Sequence, residues 1–243
     1  GNDHGFGIDD VSVTWAAGTP AEAIPVTGAG ARENFDEMGA TATAALPWLW
    51  RVETRSDAPR VSGDYAAASN GTAWANSVSN FTYAGSYNFA ATAAYDQAVG
   101  GLMSASAAQS VTVSAKFRNA TGRPVKRWLV RYAVEKYRNG TVSTAVRLVA
   151  SRDGAAWTEV GTPTAFAADA DNVGYLPSAR PGATVAAEQR AEFSAPVAED
   201  GVFYLGWQIA AADGASSASA QALGIDDVEI LPVYSPLGVI LVK

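Results

Sequence analysis

Short runs in which apolar and polar residues alternate recur along the chain, and helical spacing is almost absent. Val111-Thr112-Val113-Ser114-Ala115-Lys116-Phe117 puts every second, apolar residue on one side of an extended strand, and Trp128-Leu129-Val130-Arg131-Tyr132-Ala133-Val134 repeats the pattern. Val11-Ser12-Val13-Thr14-Trp15 does the same near the start, and further strands are predicted over 142–150, 157–160, 191–193 and 202–210. Asn70-Gly71, Asn119-Ala120-Thr121-Gly122, Asn139-Gly140, Asp153-Gly154, Asp200-Gly201 and Asp213-Gly214 supply turns between them. Asn139-Gly140, between two strand patterns, is the sharpest hairpin signal. Many short strands with frequent turns predict an all-β protein, a jelly-roll β-sandwich with a tethered N-terminal strand.

The organisation of the ends follows from a repeat. Gly7-Ile8-Asp9-Asp10-Val11 recurs as Gly224-Ile225-Asp226-Asp227-Val228, and each copy reads as the closing strand of a module. The expected division is an N-terminal strand at 1–15, an Ala/Gly/Pro-rich linker at 16–32, a sandwich at 33–232 and an apolar strand at 233–243. A lone strand leaves its backbone groups and apolar face unsatisfied, so the first is expected to pair with a sheet. Ile8, Val11, Val13 and Trp15 would then form an assembly surface toward other copies of the chain or neighbouring modules.

Composition narrows the chemistry. The 243 residues carry a net charge of −7 and no basic stripe larger than Arg123, Lys126, Arg127 and Arg131, which argues against nucleic acid as a partner. No run approaches the roughly 20 apolar residues of a membrane helix. There is no cysteine, so thiolate chemistry drops out, and the one histidine, His4, removes most Ser-His-Asp and histidine-metal chemistry as well. Catalysis would fall to carboxylates; Glu53, Glu135 and Glu159 are available, but no spacing singles out a pair. The chain is not expected to be an enzyme.

The order of several motifs resembles a jelly-roll accessory module, similar to a carbohydrate-binding module, repeated in secreted and surface-anchored proteins of Verrucomicrobia-like and Bacteroidetes-like bacteria. The motifs are Glu33-Asn34-Phe35-Asp36-Glu37-Met38-Gly39, Leu46-Pro47-Trp48-Leu49-Trp50-Arg51-Val52, Tyr87-Asn88-Phe89, Gly100-Gly101-Leu102, Phe117 to Gly122, Tyr132 with Glu135 to Arg138, Ser151 to Thr158, and Gly224 to Val228. The resemblance spans about 33 to 231, and Lys136 and Tyr137 depart from it, standing where the family usually has an acidic residue and Trp. It implies an extracellular or cell-surface location and an accessory, non-catalytic role.

Two sets of residues are candidate sites. In a strand, Asp226 and Asp227 point to opposite faces unless a bulge intervenes, so one carboxylate turns inward. Such modules often hold a structural calcium between first and last strands, and the resemblance implies that Glu33 or Asp36 could join Asp226 or Asp227 on it; the alternative is a carboxylate capped by backbone N–H groups. Asp169-Ala170-Asp171-Asn172-Val173-Gly174 reads instead as an Asx-rich turn, lacking a closing Glu. Trp74, Tyr83, Tyr87 and Tyr95, with Phe81, lie in a Gly/Ser/Asn-rich stretch and could stack on a sugar ring, or pack in the core as expected for Trp128, Trp157 and Trp207. Sequons at Asn70, Asn80, Asn119 and Asn139 read as turn chemistry in surface loops. The expected function is a non-catalytic extracellular structural or adhesive subunit assembling through its terminal strands; the alternative is a carbohydrate-binding module of a secreted glycan-degrading protein.

Overall fold

The computed structural model describes residues 23–39, 43–55, 63–69, 72–75, 84–90, 96–103, 109–172, 181–212 and 220–234. The strands are β1 (Ile24–Val26), β2 (Ala31–Glu33), β3 (Thr43–Ala45), β4 (Trp50–Arg55), β5 (Thr72–Ala75), β6 (Gly85–Ala90), β7 (Gln97–Leu102), β8 (Ser110–Asn119), β9 (Val125–Arg138), β10 (Thr144–Ser151), β11 (Trp157–Phe166), β12 (Ala183–Val197), β13 (Val202–Ala211) and β14 (Ala222–Val233), with one 3-10 turn at Asp36–Met38.

Eight of them make the jelly roll. β7-β14-β9-β12 are hydrogen-bonded in that order in one sheet and β8-β13-β10-β11 in the other, so the chain passes back and forth between sheets in two Greek keys. β6, β5 and β3 extend the first sheet beyond β7, while β4 and β1 line up beside β8 at the edge of the second. The alternation read in β8 and β9 is what lets the sheets meet: Val113 and Phe117 from one and Trp128, Val130 and Val134 from the other share one buried core. Trp128 stacks on Phe203 at 4.5 Å between centroids, and Trp50 on Trp207 at 5.5 Å. Burying a side chain of this kind contributes roughly 1.5–3 kcal/mol.

Three expectations need correction. Asn139-Gly140 is no hairpin, because β9 and β10 belong to different sheets and the segment crosses between them. The crossing is tied down by the acidic turn: Gly140 N–H donates to Asp169 Oδ2 and Thr141 N–H to Asn172 Oδ1. The described part of the expected linker, residues 23–32, instead supplies β1, parallel to β8, and most of β2, antiparallel to β14. The strand expected at 191–193 is 15 residues long as β12; lying at a sheet edge and exposed along much of its length, it shows little apolar period in sequence. Asp153-Gly154 does form the β10–β11 hairpin, with Gly154 at φ +76° and Asp153 Oδ1 accepting the N–H groups of Ala155 and Ala156. The assembly residues Ile8, Val11, Val13 and Trp15, and residues 235–243, lie outside the described residues.

Candidate ligand groove

Two tryptophans two residues apart meet opposite fates. In a regular strand Trp48 and Trp50 would share a face. Leu49, however, sits at φ +67°, a left-handed conformation that a branched side chain rarely adopts, and it turns the chain between them. The turn is held by Trp50 N–H donating to Pro47 O at 3.0 Å and by the Tyr65 hydroxyl donating to Leu49 O at 2.6 Å. Trp50 is left 1% exposed in the core, and Trp48 is 52% exposed.

Trp48 stands at the mouth of a slot of about 360 Å³ that opens between the sheets, floored by Trp50, Phe117, Val228 and Ile230. Arg32, Glu33, Glu37 and Val228 also line a wider groove of about 970 Å³ over β2, β14, β9 and β12, so the two run together. Four strands position its polar wall. Arg32 on β2 donates from Nε and Nη2 to Glu229 Oε1 at 2.9 and 2.6 Å. Arg131 on β9 donates from Nη1 to Glu229 Oε2 at 3.2 Å and from Nε to Glu188 Oε2 on β12 at 2.9 Å. The hydrogen bonds from Arg32 and Arg131 hold the Glu229 carboxyl below its ordinary range, Arg32 having the larger effect. Glu33 moves the other way: partial burial raises its pKa, and the charges of Glu37 and Asp36 add to that.

The doubled acids separate as a bulge requires. The β14–β9 register shifts between Asp226 and Glu229, and Asp227 takes φ +49° there. Asp227 is exposed on the groove, whereas Asp226 is 3% exposed and its Oδ1 has no hydrogen-bond partner. Burial pushes the Asp226 carboxyl up to about 8, and the charges of Asp227, Glu135 and Asp96 push the same way. Nearby, the Tyr137 hydroxyl donates to Glu135 Oε2, and burial raises the pKa of both groups.

The structure does not gather the four predicted metal ligands. Glu33 Oε1 accepts Phe35 N–H, Asp36 Oδ1 accepts Gln97 N–H, Asp226 is buried and Asp227 faces the groove. Among the described residues no three acidic or histidine side chains come together as a metal site. Of the predicted sugar platform, Tyr83 and Tyr95 lie outside the described residues, and Trp74 is placed only as part of β5. Tyr87 is 5% exposed and stacks on Phe89, which stacks in turn on Tyr137 at 4.4 Å, so it offers no open face. Glu53, Glu135 and Glu159 stand on β4, β9 and β11 and are not brought together: β9 belongs to the other sheet, and β8, β13 and β10 separate β4 from β11. Asn119 of the third sequon is fully buried, a turn anchor rather than an exposed loop residue.

Trp48, Arg32, Glu37, Arg131 and Glu188 were not singled out in sequence as site residues. The available signal was the clash of parity at Pro47-Trp48-Leu49-Trp50, where two tryptophans on one strand face would leave one without a core to enter.

The fold defines a class: an all-β jelly-roll sandwich, here with a surface groove over β2, β14, β9 and β12. No protein-family model and no curated protein matches the chain. Among solved structures it is similar to the K2 cleaved adhesin domain of Lys-gingipain, at 14% identity and a TM-score of 0.44, covering 84% of this chain and 99% of that one. It is also similar to TmCBM61 in complex with β-1,4-galactotriose, at 12% identity and TM-score 0.37, covering 82% and 94%. A third is the CBM22-1 xylan-binding domain of Paenibacillus barcinonensis Xyn10C, at 13% identity and TM-score 0.35, covering 63% and 82%.

Proposed function

We propose that this chain is a non-catalytic carbohydrate-binding module of a secreted or surface-displayed protein. The observation that carries the reading is Trp48, held half-exposed by a pinned turn at the edge of a groove with polar walls. Sugar rings present flat C–H faces that stack on an aromatic ring while their hydroxyls meet flanking polar groups, and Arg32, Glu37, Arg131 and Glu188 supply those groups here. A rigid platform also limits the entropy lost on binding. The structural or adhesive assembly reading depends on Ile8, Val11, Val13 and Trp15, which lie outside the described residues.

The test is affinity electrophoresis of the wild-type chain against a panel of soluble polysaccharides, followed by titration calorimetry on any that retard it. Trp48→Ala is expected to weaken binding about tenfold or more, the size of one lost stacking contact of about 1.4 kcal/mol, with a melting temperature within about 4 °C of wild type. Retardation by no polysaccharide, or binding indifferent to Trp48→Ala, would overturn the reading.

A further inference from the structure

The groove's charge is lopsided. Glu33, Glu37, Glu188, Asp227 and Glu229 line it, against only Arg32 and Arg131. Both guanidinium groups are already engaged, Arg32 on Glu229 and Arg131 bridging Glu229 and Glu188. Among the described residues no cation pairs with Glu33, Glu37 or Asp227. Burial is the main cause of the raised pKa of Glu33, and the charges of Glu37 and Asp36 add to it. The chain's net charge of −7 offers nothing at long range to reverse it.

Resting on the carbohydrate-binding reading, we infer that the groove beside Trp48 selects polysaccharides carrying primary amines and rejects those carrying uronic acids. Three features converge on an ammonium group. Glu37 and Asp227 are exposed carboxylates that can accept from it without first breaking an ion pair. The ring face of Trp48 attracts a cation through its quadrupole. The two arginines, which would otherwise receive a uronate, are held by Glu229 and Glu188, so an anionic sugar would have to displace a carboxylate and then sit among three others. The apolar floor of Trp50, Phe117 and Ile230 lies below, where a sugar's C–H face or a substituent can enter.

The experiment is calorimetry at pH 6 with three oligosaccharides of equal length: a β-1,4-glucosamine oligomer, its fully N-acetylated form and an oligogalacturonate. The glucosamine oligomer is expected to bind at least fivefold more tightly than the acetylated one and to weaken with added salt, while the oligogalacturonate shows no binding. Glu37→Gln and Asp227→Asn are each expected to weaken the amine form about two- to fivefold, the range of one exposed charge pair, and to leave the acetylated form unchanged. Asn tolerates the left-handed backbone at 227, so that variant keeps the bulge. Equal affinity for the amine and acetylated forms, or binding of the oligogalacturonate, overturns the amine selectivity while leaving the carbohydrate-binding reading intact. Trp48-dependent binding of other glycans with none of these three does the same, and binding of no glycan removes both.

Discussion

Gly100 on β7 and Gly224 on β14 are paired across the sheet, and a Cβ on Gly100 would lie 2.0 Å from Leu223 O and 2.7 Å from Gly224 Cα. The two strands approach so closely that only hydrogen fits between them. The second glycine guards the other neighbour, since a Cβ on Gly224 would meet Ala98 Cβ at 2.9 Å and Phe89 at 3.0 Å. Gly100→Ala is accordingly expected to destabilise by about 1–3 kcal/mol, with backbone rather than a flexible side chain in the way. Gly28→Ala, with nothing within 4 Å of its Cβ, is the control and is expected within about 0.5 kcal/mol of wild type. Urea midpoints decide it; equal shifts for both variants would falsify the close approach.

Trp48 and Trp50 give a second contrast. Trp50→Ala removes a buried ring stacked on Trp207 and edge-on to Phe35 at 4.8 Å, and is expected to cost about 3–5 kcal/mol. Trp48→Ala removes a half-exposed ring and is expected to cost under about 1 kcal/mol. Denaturant unfolding of the two variants checks the turn at Leu49, because a regular strand would have made both costly.

Asp226 predicts a pH dependence. Its folded pKa of about 8 stands above the ordinary 3.8, so the native state binds a proton that the unfolded chain has already released. The group therefore favours folding fully below about pH 4, and that contribution declines as pH rises toward about 8. Glu135, also raised, acts in the same direction. Asp226→Asn cannot ionise and is expected to flatten the melting-temperature profile between pH 4 and 8 and to melt above wild type at pH 8. A variant profile parallel to wild type would show that Asp226 ionises as freely in the fold as in the unfolded chain.

Asn119 is a buried clasp at the end of β8. Its Nδ2 donates to Arg123 O at 2.8 Å and Val197 O at 2.9 Å, and its Oδ1 accepts Thr121 N–H. Asn119→Ala strands those groups and is expected to cost about 1–3 kcal/mol. A urea midpoint within error of wild type would show that solvent replaces the clasp.

Arg131 is the surface counterpart. Despite two carboxylate partners it is half exposed, so Arg131→Ala is expected to lower the urea midpoint only slightly, and less at high salt. Midpoints in low and high salt distinguish this from a structural role.

Much of the sandwich was legible because the strands that build its core alternate. β8, β9, β10 and β13 each expose an apolar face to the other sheet, and that periodicity is a local property of the chain. The closing strand was legible through its Asp226-Asp227 pair, which announced either a bulge or a buried acid, and the structure has both. β12 was largely hidden, since an edge strand with two mostly exposed faces shows little of the apolar pattern on which strand reading depends.

The candidate site was far less legible. Its polar wall joins Arg32 to Glu229, 197 positions apart, and Arg131 to Glu188, 57 apart. The predicted platform at Tyr87 went the other way, its ring claimed by Phe89 and by contact with Tyr137 through an intervening stack.

The sequence by itself determined that the chain is all-β, which residues turn toward a common core, and that thiol chemistry has no cysteine, and histidine chemistry only His4, to work with. Only the tertiary structure decided that Asn139-Gly140 crosses between sheets, that residues 24–33 close onto β8 and β14, and that Trp48 looks outward while Trp50 looks in. The division has one physical cause. Strand periodicity is set by neighbours two residues away, whereas strand partners, sheet membership and the sense of a strained turn are set by contacts between segments far apart in the chain, which no local pattern encodes.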